Sequence, residues 1–164
     1  MCTMKVAIAN DHRGKDAKEQ IKAIIIQLGH EFIDCGSDSD QPVDYPDLAY
    51  KAASAVSNKM VDRAILVCGT GIGMSIAANK IKGVRAALCY DELNAQISRQ
   101  HNDSNVLCLS GDLLGAVVLR KIVEKWLDTE FTGGRHQRRV DKISAIESGK
   151  NPGEVNEQAC NSAN

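Results

Sequence analysis

The stretch that decides the fold of this chain is Ala64-Ile65-Leu66-Val67-Cys68-Gly69-Thr70-Gly71-Ile72-Gly73-Met74-Ser75-Ile76-Ala77-Ala78-Asn79-Lys80. Its first part, residues 64–67, is apolar and rich in branched side chains, which predicts a buried parallel strand. The small and apolar residues 72–80 predict a helix. Between them, Gly69, Gly71 and Gly73 permit backbone angles that other residues avoid, so the amides that open the helix can converge on a point where negative charge is favoured. The stretch therefore predicts an anion-binding turn.

Cys68 stands at the end of the predicted strand, beside this turn. The carboxyl ends of parallel strands are where open α/β sheets bind their ligands. A thiol at the start of a helix is favoured as the thiolate, because the amide dipoles stabilise its charge. Cys68 can therefore act as a base or a nucleophile. The alternative is that Cys68 is an inert buried residue and that the glycines only make a tight connection.

Composition narrows the class of protein. The 164 residues fit one domain with a sizeable core. The 20 Lys and Arg side chains balance 21 Asp and Glu, so the total charge indicates neither a nucleic-acid nor a membrane partner. The sequence has no apolar run as long as a membrane span and no signal-peptide pattern at its start, so we expect a cytoplasmic protein.

The cysteines give no sign of a metal site or of disulfide bonds. They are spread along the chain without a C-x-x-C pair, so we expect free thiols and no bound metal. Packing is the expected role of all of them except Cys68. The six are Cys2, Cys35, Cys68, Cys89, Cys108 and Cys160.

Apolar and amphipathic runs alternate along the chain in a βαβαβαβαβα pattern. The alternation predicts one α/β domain, doubly wound and Rossmann-like, with a five-stranded parallel sheet in the order 2-1-3-4-5 and helices on both faces. We expect this domain to span residues 1–148, including a C-terminal helix, and residues 149–164 to form a polar, flexible tail. Strands are predicted at residues 4–9, 31–34, 64–67, 84–89 and 105–109. Helices are predicted at residues 15–28, 72–80, 91–100, 113–127 and 135–148, and one more helix begins near residue 45.

Asp11 and His12 follow the first predicted strand. Because parallel strands end at one edge of the sheet, we expect both residues near Cys68. A carboxylate beside an imidazole can move protons to and from hydroxyls, and a protonated imidazole can hold a phosphate. The alternative is an aspartate that caps the first helix.

Arg135, His136 and Arg139 lie at the start of the last predicted helix. Residues four apart share a helical face, so the two guanidinium groups can converge on one anion such as a terminal phosphate. The alternative is a solvated basic patch.

His101 and Asn102 come at the end of the helix that follows the fourth strand. Helices of a doubly wound sheet start at the carboxyl edge and end at the other edge, so His101 is expected far from Cys68 of its own subunit. A catalytic His101 would therefore require an oligomer with shared sites, most simply a two-fold dimer. The alternative is a histidine that interacts with the carbonyls at the helix end.

Taken together, the motifs resemble the type B ribose-5-phosphate isomerases, and the resemblance runs from about residue 4 to residue 146. The wider family also includes isomerases of allose and galactose 6-phosphates. The matching motifs are Asp11-His12 with Gly14, Asp44-Tyr45-Pro46, Cys68-Gly69-Thr70-Gly71-Ile72-Gly73, Ala77-Ala78-Asn79-Lys80, Ser98-Arg99-Gln100-His101-Asn102, and Gly133-Gly134-Arg135-His136 with Arg139.

The resemblance implies an aldose–ketose isomerisation of ribose 5-phosphate and ribulose 5-phosphate through an enediolate, without metal or organic cofactor. In that reaction the Cys68 thiolate would carry the proton between C1 and C2 as general base. Thr70 would position or relay a hydroxyl proton. The amides around Gly69, Gly71, Ile72 and Gly73 would stabilise the enediolate oxygen.

By the same resemblance, His101 would open the sugar ring with Asp11 as its acid–base counterpart, and Asn102 would help to hold the ring or the enediolate. Sites of the family are shared across a dimer interface, which agrees with the position expected for His101; a tetramer is also compatible. The residues implied for the phosphate are His12, Arg135, His136 and Arg139, with Tyr45 near the sugar.

The chain departs from the resemblance at Asp112. Many family members have an arginine there, which contacts the phosphate from the neighbouring subunit, and a carboxylate cannot do this. Either the other basic groups suffice, or phosphate affinity is weaker, or the substrate differs. Members also differ in the base, which is a carboxylate in some, whereas this chain has the Cys68 thiol.

Two other functions remain open at the level of sequence. One is a hexose 6-phosphate isomerase of the same family. The other is a non-catalytic domain that binds a sugar phosphate or a nucleotide, although a binding module has no use for a thiol, a histidine and an aspartate directed at one spot. A dinucleotide-dependent oxidoreductase is not indicated, because the glycine turn follows the third strand and lacks the acidic ribose-binding partner.

Overall fold

The computed structural model describes residues 3–39 and 41–155. Strands and helices alternate, as the sequence predicts. The strands are β1 (Lys5–Asn10), β2 (Glu31–Asp34), β3 (Arg63–Cys68), β4 (Ala86–Leu88) and β5 (Val106–Ser110), and the helices are α1 (Lys15–Gln27), α2 (Tyr45–Ser57), α3 (Ile72–Ala78), α4 (Glu92–Asn102), α5 (Ala116–Asp128) and α6 (Arg135–Glu147).

The five strands form one parallel sheet in the order β2-β1-β3-β5-β4. The predicted fold class, a five-stranded parallel α/β sheet with helices, is therefore confirmed. The predicted order 2-1-3-4-5 is wrong for the last two strands, because β5 and not β4 pairs with β3.

Strand length and burial explain this exchange. All five residues of β5 are buried, as an inner strand covered on both faces requires, whereas the three residues of β4 are only half-buried. The shorter and less buried strand therefore takes the edge position. Because β5 lies beside β3, Ser110 of β5 is the register partner of Cys68 of β3 at the carboxyl edge of the sheet.

The two faces of the sheet carry different cores. Branched and aromatic side chains from α1 and α5, such as Ile21 and Trp126, fill one face, opposite Val6 and Ile8 of β1. The other face is rich in alanines, and Ala52 and Ala53 of α2 pack there with small strand residues. Met74 and Ala78 of α3 belong to the same core, so α3 packs on this face after the short turn that follows β3.

The chain after α6 was predicted to be a flexible tail. Residues 152–154 form a short 3₁₀ turn, Pro152–Glu154, and residues 156–164 lie outside the described residues, as do Cys2 and Cys160. The domain boundary near residue 148 and the flexible tail stay predictions. Among residues 3–39 and 41–155, no helix combines the length and the apolar character needed to cross a membrane.

Candidate active site

Three neighbouring strands end at the carboxyl edge of the sheet and are joined there by main-chain hydrogen bonds. The N–H of Asp11 donates to the carbonyl of Val67 (3.1 Å), and the N–H of Gly111 donates to the carbonyl of Cys68 (2.8 Å). The hydroxyl of Ser110 donates to the carbonyl of Gly69 (2.6 Å). The loops after β1, β3 and β5 therefore form one fixed surface around Cys68.

The glycine turn after β3 joins the strand to α3 and contacts the Cys68 side chain. The N–H of Gly71 donates to Sγ of Cys68 (3.1 Å). Gly71 has φ of 78°, and a Cβ on it would lie 2.9 Å from the carbonyl oxygen of Leu109. Only glycine fits there. The Cys68 side chain is therefore held by the turn, and it is also buried within the alanine-rich core on this face of the sheet.

The other described cysteines have different surroundings. Burial raises the pKa of Cys89 to about 11 and also raises the pKa of Cys35 and Cys108. These three thiols therefore stay protonated near neutral pH, in agreement with the packing role expected for them. All four described cysteines are free thiols.

Asp11 and His12 lie beside this turn and are fixed by hydrogen bonds. Oδ1 of the buried Asp11 accepts from the N–H of Arg13 (2.9 Å). Helix α1 begins after Gly14 without a side-chain cap, so Asp11 is not its cap. Nδ1 of His12 accepts from the N–H of Val43 (3.4 Å), which leaves Nε2 to carry the proton of the neutral ring.

The remaining residues predicted for this edge also meet at the turn. A Cβ on Gly73 would lie 2.5 Å from the Tyr45 ring, so the start of α2 packs directly on the start of α3. Oγ1 of Thr70 accepts from the N–H of Ile72 (3.3 Å), and the hydroxyl of Tyr90 donates to the Thr70 carbonyl (2.9 Å). We refer to this set as the strand-end group: Asp11, His12, Tyr45, Cys68, Gly69, Thr70, Gly71, Ile72 and Gly73.

The other predicted residues form a second set, where the end of α4 meets the start of α6. The rings of His101 and His136 are stacked, with centroids 4.0 Å apart and planes 6° from parallel. Burial and the charges of His101, Arg135 and Arg139 lower the pKa of His136. We refer to this set as the helix-end group: His101, Asn102, Arg135, His136 and Arg139.

The two groups lie at opposite edges of the sheet of one subunit. The guanidinium of Arg85, which precedes β4, donates through Nε to the carbonyl of Asn102 (2.9 Å), so Asn102 lies where the strands begin. The strand-end group lies where they end, and the run from Ala64 to Cys68 alone spans about 13 Å. One subunit therefore does not bring all the predicted site residues together.

Two features of the strand-end group escaped the sequence prediction. Arg13 was assigned no role, yet its Nε–H donates to Oδ2 of Asp112 (2.8 Å) beside Gly69. The hydrogen bond raises the pKa of the Arg13 guanidinium. Ser110 was missed as well. Ser110 is the last residue of β5, and a correct strand order would have placed it beside Cys68, because neighbouring parallel strands end at the same edge.

Among residues 3–39 and 41–155, no cluster of three or more His, Cys, Asp or Glu side chains could hold a metal ion. The carboxyl edge carries the thiol of Cys68, the carboxylate of Asp11, the imidazole of His12, the guanidinium of Arg13 and the N–H groups of the glycine turn. This fold defines a doubly wound α/β protein with a thiol and the main-chain N–H groups of a glycine turn at the carboxyl edge of its sheet, where proteins of this class bind their ligands.

Comparison with known proteins narrows this class to one family. A model of the family described as Ribose/Galactose Isomerase matches residues 6–143. Ribose-5-phosphate isomerase B of Escherichia coli is 46% identical over 147 residues, which are 90% of this chain and 99% of the relative. The chain belongs to the ribose/galactose isomerase family.

Solved structures agree with this assignment. The chain is similar to ribose-5-phosphate isomerase B of Clostridium thermocellum, with a TM-score of 0.87, 46% identity, and coverage of 89% of this chain and 99% of the other. It is also similar to ribose-5-phosphate isomerase B of Mycoplasma genitalium, solved with bound ribulose-5-phosphate, with a TM-score of 0.85, 42% identity, and coverage of 90% and 99%.

Proposed function

We propose that this protein is an aldose–ketose isomerase that interconverts ribose 5-phosphate and ribulose 5-phosphate, as its relatives' names indicate. The observation that carries the proposal is the hydrogen bond from the Gly71 amide to the Cys68 sulfur, within a turn that favours negative charge. A base and an anion-binding surface would therefore lie side by side, as an enediolate reaction needs. The protein would act in the cytoplasm, in the pentose phosphate pathway.

The proton transfer needs one base that serves two carbons. The Cys68 thiolate would take the proton from C2 of the open-chain aldose, so that the C2–H electrons form the enediolate and negative charge develops on O1. The thiol would then return the proton to C1, which yields the ketose. Thr70 would relay the hydroxyl proton from O2 to O1. The amides of the turn would stabilise the charged oxygen.

Ring opening and phosphate binding would use both residue groups. Asp11 would accept the proton of the anomeric hydroxyl while His101 of the partner subunit donates a proton to the ring oxygen. His12 would bind the phosphate with the partner subunit's Arg135, His136 and Arg139. The opposite positions of the strand-end and helix-end groups in one subunit support this shared site and hence a homodimer, alone or within a tetramer.

A direct assay tests the proposal. The purified chain, kept in chelator, should convert ribose 5-phosphate faster than allose 6-phosphate or galactose 6-phosphate. A preference for a hexose 6-phosphate would replace the proposed substrate by that of another family member. Absence of turnover on all three, with retained phosphate binding, would favour a non-catalytic sugar-phosphate domain.

Replacement of the base gives the sharper test. Cys68→Ala should lower kcat by about 100-fold or more, because it removes a general base, while circular dichroism stays unchanged. Cys35→Ala is the matched control, since it removes another buried thiol that follows a strand of the same sheet, β2, and should keep kcat. Full activity of Cys68→Ala would show that another group is the base.

A further inference from the structure

Arg13 and Asp112 together cover the first residue of the anion-binding turn. A Cβ on Gly69 would lie 2.9 Å from Oδ2 of Asp112 and 3.3 Å from Nε of Arg13. Gly69 is therefore not only a flexible position: the ion pair approaches its Cα so closely that a side chain would displace the pair. The guanidinium thus lies at the turn that is proposed to bind the substrate.

Arg13 is fixed at both ends. Its main-chain N–H donates to Oδ1 of Asp11 (2.9 Å), and its Nε–H donates to Oδ2 of Asp112 (2.8 Å). Asp112 is fixed in turn by its own N–H, which donates to the Gly69 carbonyl (3.2 Å). The guanidinium is therefore oriented by two loops that border Cys68.

The guanidinium keeps donors for a ligand. Its hydrogen bond to Asp112 uses Nε, and an arginine carries four further N–H donors on its two Nη atoms. The Arg13 side chain is 57% exposed, so a ligand in solution can reach it. An ion pair this exposed adds little to stability, which leaves orientation of the guanidinium as its physical consequence.

Negative charge at this edge favours a cation there. A bound sugar phosphate would bring a dianion towards the carboxylates of Asp11 and Asp112. In the loops formed by residues 10–14, 68–73 and 110–114, Arg13 is the one side chain with a permanent positive charge. His12 can add charge only when it is protonated.

We propose that Arg13, oriented by Asp112, is a phosphate-binding residue that the strand-end group contributes from its own subunit. The inference rests on the proposed function and adds a group to the same site. Asp112 is then a positioning residue: it orients Arg13 and does not contact the substrate itself.

The test measures phosphate binding and turnover separately. Inorganic phosphate is titrated into the full chain by calorimetry, and KM and kcat are measured for ribose 5-phosphate. Arg13→Ala should raise the Kd of phosphate and the KM about tenfold, because it removes charge-assisted hydrogen bonds, and should leave kcat within about twofold. The matched control is Arg120→Ala, which breaks an exposed pair with Glu124 (2.9 Å) on α5 and should change neither value.

A double-variant cycle tests the role of Asp112. In the wild-type background, Asp112→Ala should weaken phosphate binding about threefold, because the guanidinium loses its fixed orientation. In the Arg13→Ala background, the same substitution should not weaken binding, since only a repelling carboxylate is removed. Asp112→Asn, which keeps an oxygen acceptor for Nε, should restore binding relative to Asp112→Ala.

The results that would overturn the proposal are distinct from failure of the proposed function. An unchanged phosphate Kd in Arg13→Ala, a loss confined to kcat, or no phosphate binding by the wild type would each overturn it. Equal effects of Asp112→Ala in both backgrounds would overturn the positioning role. If the wild type binds phosphate through Arg13 but turns over no ribose 5-phosphate, the isomerase proposal fails and the anion site stands.

Discussion

At the scale of single residues, the surroundings of His136 oppose a positive charge on its ring. The side chain is buried, stacks on His101, and lies on the same helix turn as Arg135 and Arg139. Its burial and the charges of His101, Arg135 and Arg139 lower the pKa of His136. A phosphate dianion bound between the two arginines would reverse this balance, so the free and the bound protein should differ in their affinity for a proton.

This shift predicts how stability depends on pH. The pKa of His136 in the folded chain lies below the usual value of 6.5, so the unfolded chain binds more protons just below pH 6.5 and stability rises with pH in that window. We expect the free energy of unfolding to fall from pH 7.5 to pH 5.5 by less in His136→Gln than in the wild type, as measured with urea.

The range above pH 7.5 serves as the internal control, because His136 is neutral there in both states. Any difference between wild type and His136→Gln should then be independent of pH. Parallel losses of stability on acidification would mean that His136 does not carry the effect.

Arg13 and Asp112 show where inference about single residues ends. The sequence identified Asp112 as a departure from the family pattern, and it identified Asp11 and His12 by their place after a strand. It could not pair Arg13 with Asp112, because the two are 99 positions apart and their contact depends on β5 lying beside β3. The sequence allowed the residues at the strand ends to be predicted, but not which side chains from different strands pair with each other.

At the scale of elements, the connection from β3 to α3 depends on the conformation of Gly71. Its φ of 78° belongs to the left-handed region, and its amide points at the sulfur of Cys68. A Cβ at this position would also lie 2.6 Å from Cδ1 of Leu88 and 2.9 Å from the Leu109 main chain. Strain and overlap therefore act together at one residue.

Gly71→Ala should accordingly lower the free energy of unfolding by about 2–5 kcal/mol, which combines the cost of the left-handed conformation with that of overpacking. The matched control is Gly83→Ala, since Gly83 has φ of 76° but nothing within 4 Å of a Cβ. The control should lose only about 1–2 kcal/mol. Urea unfolding measures both, and equal losses would mean that the overlap with β5 and Leu88 is relieved without cost.

The parallel sheet could be predicted from the sequence, whereas the order of its strands β4 and β5 could not. Alternating apolar and amphipathic runs specified the parallel sheet and the edge at which Cys68 lies, since these follow from local periodicity. The order of β4 and β5 follows from a comparison of their lengths and burial. The run at 84–89 is interrupted by Arg85, a sign of an edge strand that local periodicity alone does not weigh.

At the scale of the whole molecule, the proposed site is divided between the two edges of the sheet. The strand-end group supplies the thiol and the amides, and the helix-end group supplies the stacked histidines and the arginines. The sheet separates them within one subunit, so a two-fold arrangement that brings the carboxyl edge of one subunit to the helix-end group of the next would complete two equal sites.

Mixed oligomers test this arrangement. Cys68→Ala inactivates the strand-end group and His101→Ala the helix-end group, so each variant alone should be inactive. In a mixed dimer, one site carries both substitutions and the other carries neither. Random mixing at equal amounts should therefore restore about a quarter of the wild-type activity. Mixing Cys68→Ala with Asp11→Ala is the control, because both changes lie in the strand-end group and every site keeps one defect. Recovery in the control mixture, or no recovery in the first mixture although the subunits exchange, would mean that each site is formed within one subunit.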